Sequence, residues 1–173
     1  MHLELCMAEL RAVAGYAVAC AEPALPIFER DRPGDPRPRA AIDATRLFAE
    51  GARRTKAIRD AAWAANRAFQ EARDAGQAAA ANVARAAVAT AGAAYLHPLA
   101  KPTQVWHILG AAAYAAHAVE LDAGDGAAHI GMAVHLAGPV VVSVLKRYPG
   151  APGGRGRAGE LLRRLDASLR GLP

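Results

Sequence analysis

Six histidines, two cysteines and two serines hold most of the reactive chemistry this 173-residue chain could offer, and their spacing works against nearly all of it. The histidines, at 2, 97, 107, 117, 129 and 135, never fall three or four residues apart, the spacing that brings two imidazoles to one ion on a helix. His107 and His117 would lie about 80° round a helix and about 15 Å along it from each other. No metal site is expected. Ser143 and Ser168 stand outside any G-x-S-x-G elbow. Cys6 and Cys20 on one helix would be about 21 Å apart, beyond disulfide reach, so buried reduced thiols are expected. Gly154-Arg-Gly-Arg-Ala-Gly159 spells G-x-G-x-x-G, but the sequence ends at Pro173, leaving no room for the second strand that a dinucleotide site needs. Glu120 and Asp122 sit at a helix end, so no carboxylate pair converges on the apolar helices. Neither a cofactor nor an enzymatic activity is expected.

What remains is a set of polar residues at helix starts: Asp35, Arg37 and Arg39; Arg53, Arg54 and Lys56; His97, Lys101 and Gln104. Such groups cap and pair helix ends, or form a rim that engages a partner, where arginine and aromatic side chains are the favoured anchors.

The elements that must position them read as helices throughout. Apolar spacing predicts a first helix over Leu5–Ala21, ended near Pro23 and Pro26. After the breaker cluster 32–39, with Asp35 as cap and Pro36 at the first helical position, a second covers Arg37–Gly51. A third covers Thr55–Ala75, with Thr55 as cap and Ile58, Ala62, Ala65, Phe69 and Ala72 as its inner stripe. A fourth, Gln77–Leu96, carries Arg85 as its one charge and closes before Pro98. The fifth, Pro102–Leu121, is nearly free of charge yet dotted with polar rings, and belongs in the middle of the fold. A sixth (Ala127–Ala137) and a seventh (Pro139–Tyr148) meet at Gly138-Pro139. Val140–Leu145 has strand propensity but nothing to pair with. A flexible Pro/Gly loop at 149–159 precedes a short last helix, Glu160–Arg170. The expected architecture is all-α: one domain over 1–173, a bundle of about seven or eight helices with alanine-rich central ones. The 46 alanines, against 3 Phe, 2 Trp and 4 Tyr, imply a core in which backbones approach closely.

The net charge of +5 is local. From Lys146 onward seven basic residues face two acidic ones, so everything earlier is balanced. Nucleic-acid binding through Arg155, Arg157, Arg163 and Arg164 is the competing expectation. The uncharged run Ala127–Leu145 has the length of a membrane span, but His129, His135 and the Gly138-Pro139 break favour a buried helix pair. Glu4 and Glu9 stand where an export signal would be basic, so a cytoplasmic location is expected.

Two blocks, Gly34-Asp-Pro-Arg-Pro-Arg-Ala-Ala-Ile42 and Ala94-Tyr-Leu-His-Pro-Leu-Ala100 with His107-Ile-Leu-Gly-Ala-Ala-Ala-Tyr114, resemble those of the immunity proteins of bacterial polymorphic toxin systems, the immunity-five-like group. The resemblance extends to the Arg-Tyr-Pro at the end of the seventh helix and the Leu-Leu-Arg-Arg-Leu of the last. It implies a cytoplasmic, all-helical, non-catalytic protein that binds and neutralises a cognate toxin; a homo-oligomer is compatible with it. The residues expected to meet that partner are Asp35, Arg37, Arg39, His97, Gln104, His107 and Tyr114. The chain lacks the acidic face that mimicry of nucleic acid would need, which favours steric occlusion or an acidic toxin surface.

Overall fold

In the computed structural model, which describes residues 1–173 apart from the side chain of Ala123, nine α-helices follow one another: α1 (Met7–Ala21), α2 (Leu25–Asp31), α3 (Arg37–Ala49), α4 (Lys56–Asp74), α5 (Ala78–Ala93), α6 (Val105–Ala123), α7 (Gly126–Leu136), α8 (Pro139–Arg147) and α9 (Gly156–Arg170). Single turns of 3₁₀ helix precede α2 (Glu22–Ala24) and α6 (Pro102–Gln104). The fold is all-α, with one isolated bridge, His2 to Leu99, joining the N-terminus to the α5–α6 connection. Proline sets several boundaries, because it lacks the N–H that an interior helical turn requires. Pro26 and Pro38 sit in the first turns of α2 and α3, and Pro139 opens α8. Asp35 Oδ1 accepts the Arg37 amide at 3.1 Å, the expected tie at the start of α3. Thr55 precedes α4 as expected, but its side chain makes no capping bond.

The centre is the antiparallel pair α5 and α6. Gly92 meets His107, Ala89 meets Gly110, Arg85 meets Tyr114 and Asn82 meets His117, so residues later on α5 pair with earlier ones on α6. Each stripe advances in steps of three and four, the spacing that keeps side chains on one helical seam. Fully buried Ala84, Ala87 and Ala91 on α5, with Ala112, Ala113 and Ala116 on α6, supply the small surfaces that let the backbones close up. Helices α3 and α4 cover α5; α1, α7 and α9 cover α6.

Larger side chains fill the periphery of this core: Phe28, Ile42 and Phe48 beneath α1 to α3, and Leu161, Leu162, Leu165 and Leu169 along α9. Among the described residues, the buried polar ones are Thr45, Thr90, His129 and Asp166, and each is satisfied. The two threonines donate to the carbonyl four residues back, at 2.8 Å in each case. His129 Nε2 donates to the Cys20 carbonyl at 2.9 Å, and the Tyr16 hydroxyl donates to the Ala133 carbonyl at 3.0 Å, so two bonds fasten α1 to α7. Cys20 is buried and its thiol is pushed up to about 12 by that burial. Cys6 is exposed, contrary to the expectation that both thiols are interior; it lies before α1, where Glu9 Oε2 accepts its amide at 2.9 Å.

No single helix among the described residues is long and apolar enough to cross a membrane, and the uncharged run breaks at Gly138 into α7 and α8, bent by 100°. The stretch 149–159, expected as a flexible loop, is tied to α9. Asp166 Oδ2 accepts the Ala151 amide at 3.0 Å, Arg163 donates to the Pro152 and Gly154 carbonyls at 3.2 and 3.1 Å, and Arg170 donates to the Pro149 carbonyl at 3.0 Å. Helix α9 accordingly starts at Gly156, four residues before the expected Glu160. The close approach of this loop needs glycine at 159, where a Cβ would collide with the Gly154 carbonyl. Gly159→Ala is expected to lower stability by about 1–3 kcal/mol, the usual cost of overpacking, read as a lower midpoint in urea unfolding at unchanged slope.

Candidate functional site

Along one edge of the α5–α6 seam the small residues leave a groove that the few large polar side chains of the chain surround. A cavity of about 450 Å³ is lined by Asn66 of α4, Arg85 and Gly92 of α5, Gln104 just ahead of α6, Trp106, His107 and Tyr114 in the first half of α6, and Arg155 ahead of α9. It shares Asn66, Val88 and Gly92 with a second cavity of about 340 Å³, lined further by Arg59, Trp63 and Tyr95. The two form one continuous trough over α4, α5 and α6. No carboxylate lines it among the described residues.

Aromatic rings and guanidinium groups alternate along this trough. Trp106 and Tyr114, two turns apart on α6, have ring centroids 5.3 Å apart. Arg155 lies 4.5 Å over the Trp106 ring, and Arg85 lies between Phe69 at 4.7 Å and Tyr114 at 5.5 Å. At the other end Arg54 and Arg59 approach Tyr95 at 5.2 and 5.5 Å. Cation–π contacts of this kind hold a guanidinium in place while leaving its N–H donors free. Trp63 stands out from the rim with 66% of its surface exposed, a large apolar face without cover.

His107 is fixed by the seam. Its Nδ1 lies 3.0 Å from the Gly92 carbonyl, which can only accept, so Nδ1 carries the proton. Burial, and after it the positive charge of Arg155, hold its pKa below the usual histidine value; the Gly92 bond opposes this. Further along the same seam, His117 Nδ1 donates to Asn82 Oδ1 at 3.1 Å, since the Asn82 amide nitrogen is already donating to the Ala78 carbonyl. The two imidazoles share a helical edge but each has its own partner, and no group of three His, Cys, Asp or Glu fit to hold a metal is present among the described residues.

Of the residues expected to meet a partner, Gln104, His107 and Tyr114 line the trough, and His97 joins them because its amide donates to Gln104 Oε1 at 2.9 Å. Asp35, Arg37 and Arg39 lie elsewhere, in ion pairs that brace helix ends. Arg37 bridges Asp35 and Glu71 at 2.7 and 2.6 Å, and Arg39 pairs with Glu29 at 2.5 Å. The Arg37 guanidinium holds the Asp35 and Glu71 carboxyls below their ordinary range. Sequence reasoning missed Asn66, Trp63, Trp106 and Arg59 as site residues. For Arg85 a signal existed: a lone cation on an otherwise uncharged helix must leave the core somewhere.

A sequence model of the family described as "Imm-5 like putative immunity protein" matches residues 5–134. The match takes in α1 to α6 and most of α7, so the α4, α5 and α6 walls of the trough lie inside it and Arg155 lies beyond it. No curated protein and no solved structure matches the chain.

Burial holds His107, His117 and His129 below the ordinary histidine pKa of 6.5. The unfolded chain therefore binds protons in a window where the folded chain does not, and stability is lost as pH falls from about 6.5 toward the folded values. Carboxylates lowered by arginine partners, among them Glu9, Asp35 and Glu120, act in a second window below about 4.5. Thermal midpoints are expected to fall between pH 7 and 5.5, and His129→Gln, which keeps a donor near the Cys20 carbonyl, is expected to flatten that slope. An unchanged slope in the variant would show that His129 contributes nothing to it.

Proposed function

The chain belongs to the Imm-5 like immunity-protein family, and from that premise we propose that it is the stoichiometric, non-catalytic inhibitor of a bacterial toxin, acting in the cytoplasm by covering the toxin's functional face. The trough over α4, α5 and α6 is the binding surface in this proposal. The observation that carries it is the crowding of Trp63, Tyr95, Trp106 and Tyr114 with Arg54, Arg59, Arg85 and Arg155 on one edge of a chain otherwise poor in aromatic residues. Tryptophan, tyrosine and arginine supply most of the energy at protein interfaces, because each offers a large rigid surface together with donors. A tight complex buries about 800 Å² per partner. His97, Gln104, His107 and Tyr114 belong to this face; the Asp35, Arg37 and Arg39 corner supports α3 against α4.

The competing reading, a basic surface for nucleic acid at the C-terminal end, has less support. Arg157 is committed to Glu120 and Glu160, Arg170 to Asp166, and Arg163 to the Pro152 and Gly154 carbonyls. Lys146 donates to the Leu172 carbonyl at 2.5 Å, and Arg147 pairs with Glu9. A phosphate backbone requires a row of free cations, and with these engaged Arg155 and Arg164 are the cations of this end, among the described residues, outside ion pairs and hydrogen bonds.

The test is rescue. Cells expressing the toxin domain encoded beside this chain are expected to survive when the chain is co-expressed, and the two proteins to co-purify at equal stoichiometry. Trp63→Ala is expected to weaken the complex by about 2 kcal/mol, the usual loss at an exposed aromatic anchor, with unfolding little changed. Equal killing with and without the chain would overturn the immunity reading.

A further inference from the structure

Twelve of the eighteen arginines of this chain are accounted for by carboxylates or carbonyls, and of the six that are not (Arg53, Arg59, Arg67, Arg85, Arg155 and Arg164), Arg85 and Arg155 share one cavity. Arg30, Arg32, Arg37, Arg39, Arg46, Arg73, Arg147, Arg157 and Arg170 pair with acidic side chains. Arg11, Arg54 and Arg163 donate to backbone carbonyls. Arg85 and Arg155 take part in none of these ion pairs or hydrogen bonds; both rest on aromatic rings and line the 450 Å³ cavity.

Arg155 occupies this place against the local preference of its backbone. With φ 61° it is the one non-glycine residue in the left-handed region among those described, set between Gly154 at 86° and Gly156 at 55°. An L side chain in that region crowds its Cβ against the following carbonyl oxygen, and glycine, present on both sides, would avoid the crowding. The strained conformation delivers a guanidinium onto Trp106, in the lining of the cavity that Arg85 also lines. Strain that places a side chain is a mark of a functional position when the outlier is observed first.

We propose that the cavity between Arg85 and Arg155 receives a carboxylate of the toxin, an Asp or Glu side chain on an acidic segment, with both guanidinium groups donating to it. This rests on the immunity reading and adds the chemistry of the partner's anchor. The shape and charge fit a single inserted acidic side chain: two forked donors, the Gln104 amide and the Tyr114 hydroxyl at the walls, and no competing acid in the lining. A nucleic-acid strand fits less well along α9, where Arg157 and Arg170 are ion-paired and Arg163 donates to carbonyls, leaving Arg164 as the one cation of that helix, among the described residues, outside such contacts. The aromatic platforms hold both guanidiniums ready before binding, which lowers the entropy lost on association.

Calorimetric titration of the full chain with the toxin domain encoded beside it, at low and high salt, tests this against Arg85→Gln and Arg155→Gly. Each substitution is expected to weaken binding at least tenfold, and wild-type affinity to fall as salt rises. Arg155→Gly is expected to leave the unfolding midpoint unchanged or higher, because glycine relieves the left-handed backbone, so its binding loss cannot be a folding defect. A capped triglutamate peptide is expected to compete for the site and a ten-nucleotide single-stranded RNA is not. A toxin domain that binds both variants as well as wild type would overturn this inference and leave the immunity reading standing. Absence of binding to wild type would overturn both, and competition by the RNA alone would assign the site to nucleic acid and overturn the carboxylate.

Discussion

Close contact between α5 and α6 is the constraint from which the remainder of the molecule follows. Alanine buries little apolar surface per residue, so a core built on it depends on backbone proximity and on the dispersion contacts that proximity creates. The antiparallel seam achieves this with alanine and glycine at successive contact positions, from Gly92 opposite His107 to Ala89 opposite Gly110. Such a pair leaves little interior for large side chains. Phe, Leu and Ile therefore collect where α1 to α3 and α9 close over it, and the tryptophans and tyrosines nearest the seam are pushed to its edge.

That displacement makes the trough. Where α4 and the turn before α9 diverge from the tight pair, Trp106, Tyr114 and Tyr95 present ring faces on which arginines settle. The same residue type does two opposite jobs here. Arginines at helix ends find carboxylates and fasten α3 to α4, α6 to α9 and the N-terminus to α8. Exposed pairs of this kind each contribute little to stability. Arg85 and Arg155, over aromatic rings, take part in no ion pair or hydrogen bond, which is the arrangement a binding surface needs, whereas Arg54 over Tyr95 also donates to the Ala94 carbonyl.

The loop before α9 links these two roles. Glycine at 159 allows the Gly154 carbonyl to approach, Arg163 bonds that carbonyl from the helix, and Asp166 holds Ala151. Together they impose the left-handed turn that places Arg155. A segment rich in proline and glycine is thereby ordered by the helix that follows it, and it completes a trough whose other walls lie within the family-matched part of the chain.

Helix content, breaks at proline and the charge-poor middle were readable from the residues, because propensity and apolar spacing act locally. The short α2, the uncapped Thr55 and the exposed Cys6 were not, since each depends on what the neighbouring segment does. Gln104, His107 and Tyr114 could be singled out as polar residues on an apolar helix and Arg85 as the lone cation of its own, whereas Asn66 and Trp63 carried no signal that set them apart. Spacing placed His107 and His117 about 80° apart round a helix and too far apart to share an ion; what the paired helices add is a separate partner for each on α5, the Gly92 carbonyl and Asn82. By itself, then, the order of residues determined that this chain is helical and alanine-cored, since those properties are set within a few turns. Which arginines are neutralised and which stay free was decided only by the tertiary structure, because the partner of each cation is brought to it from a distant helix.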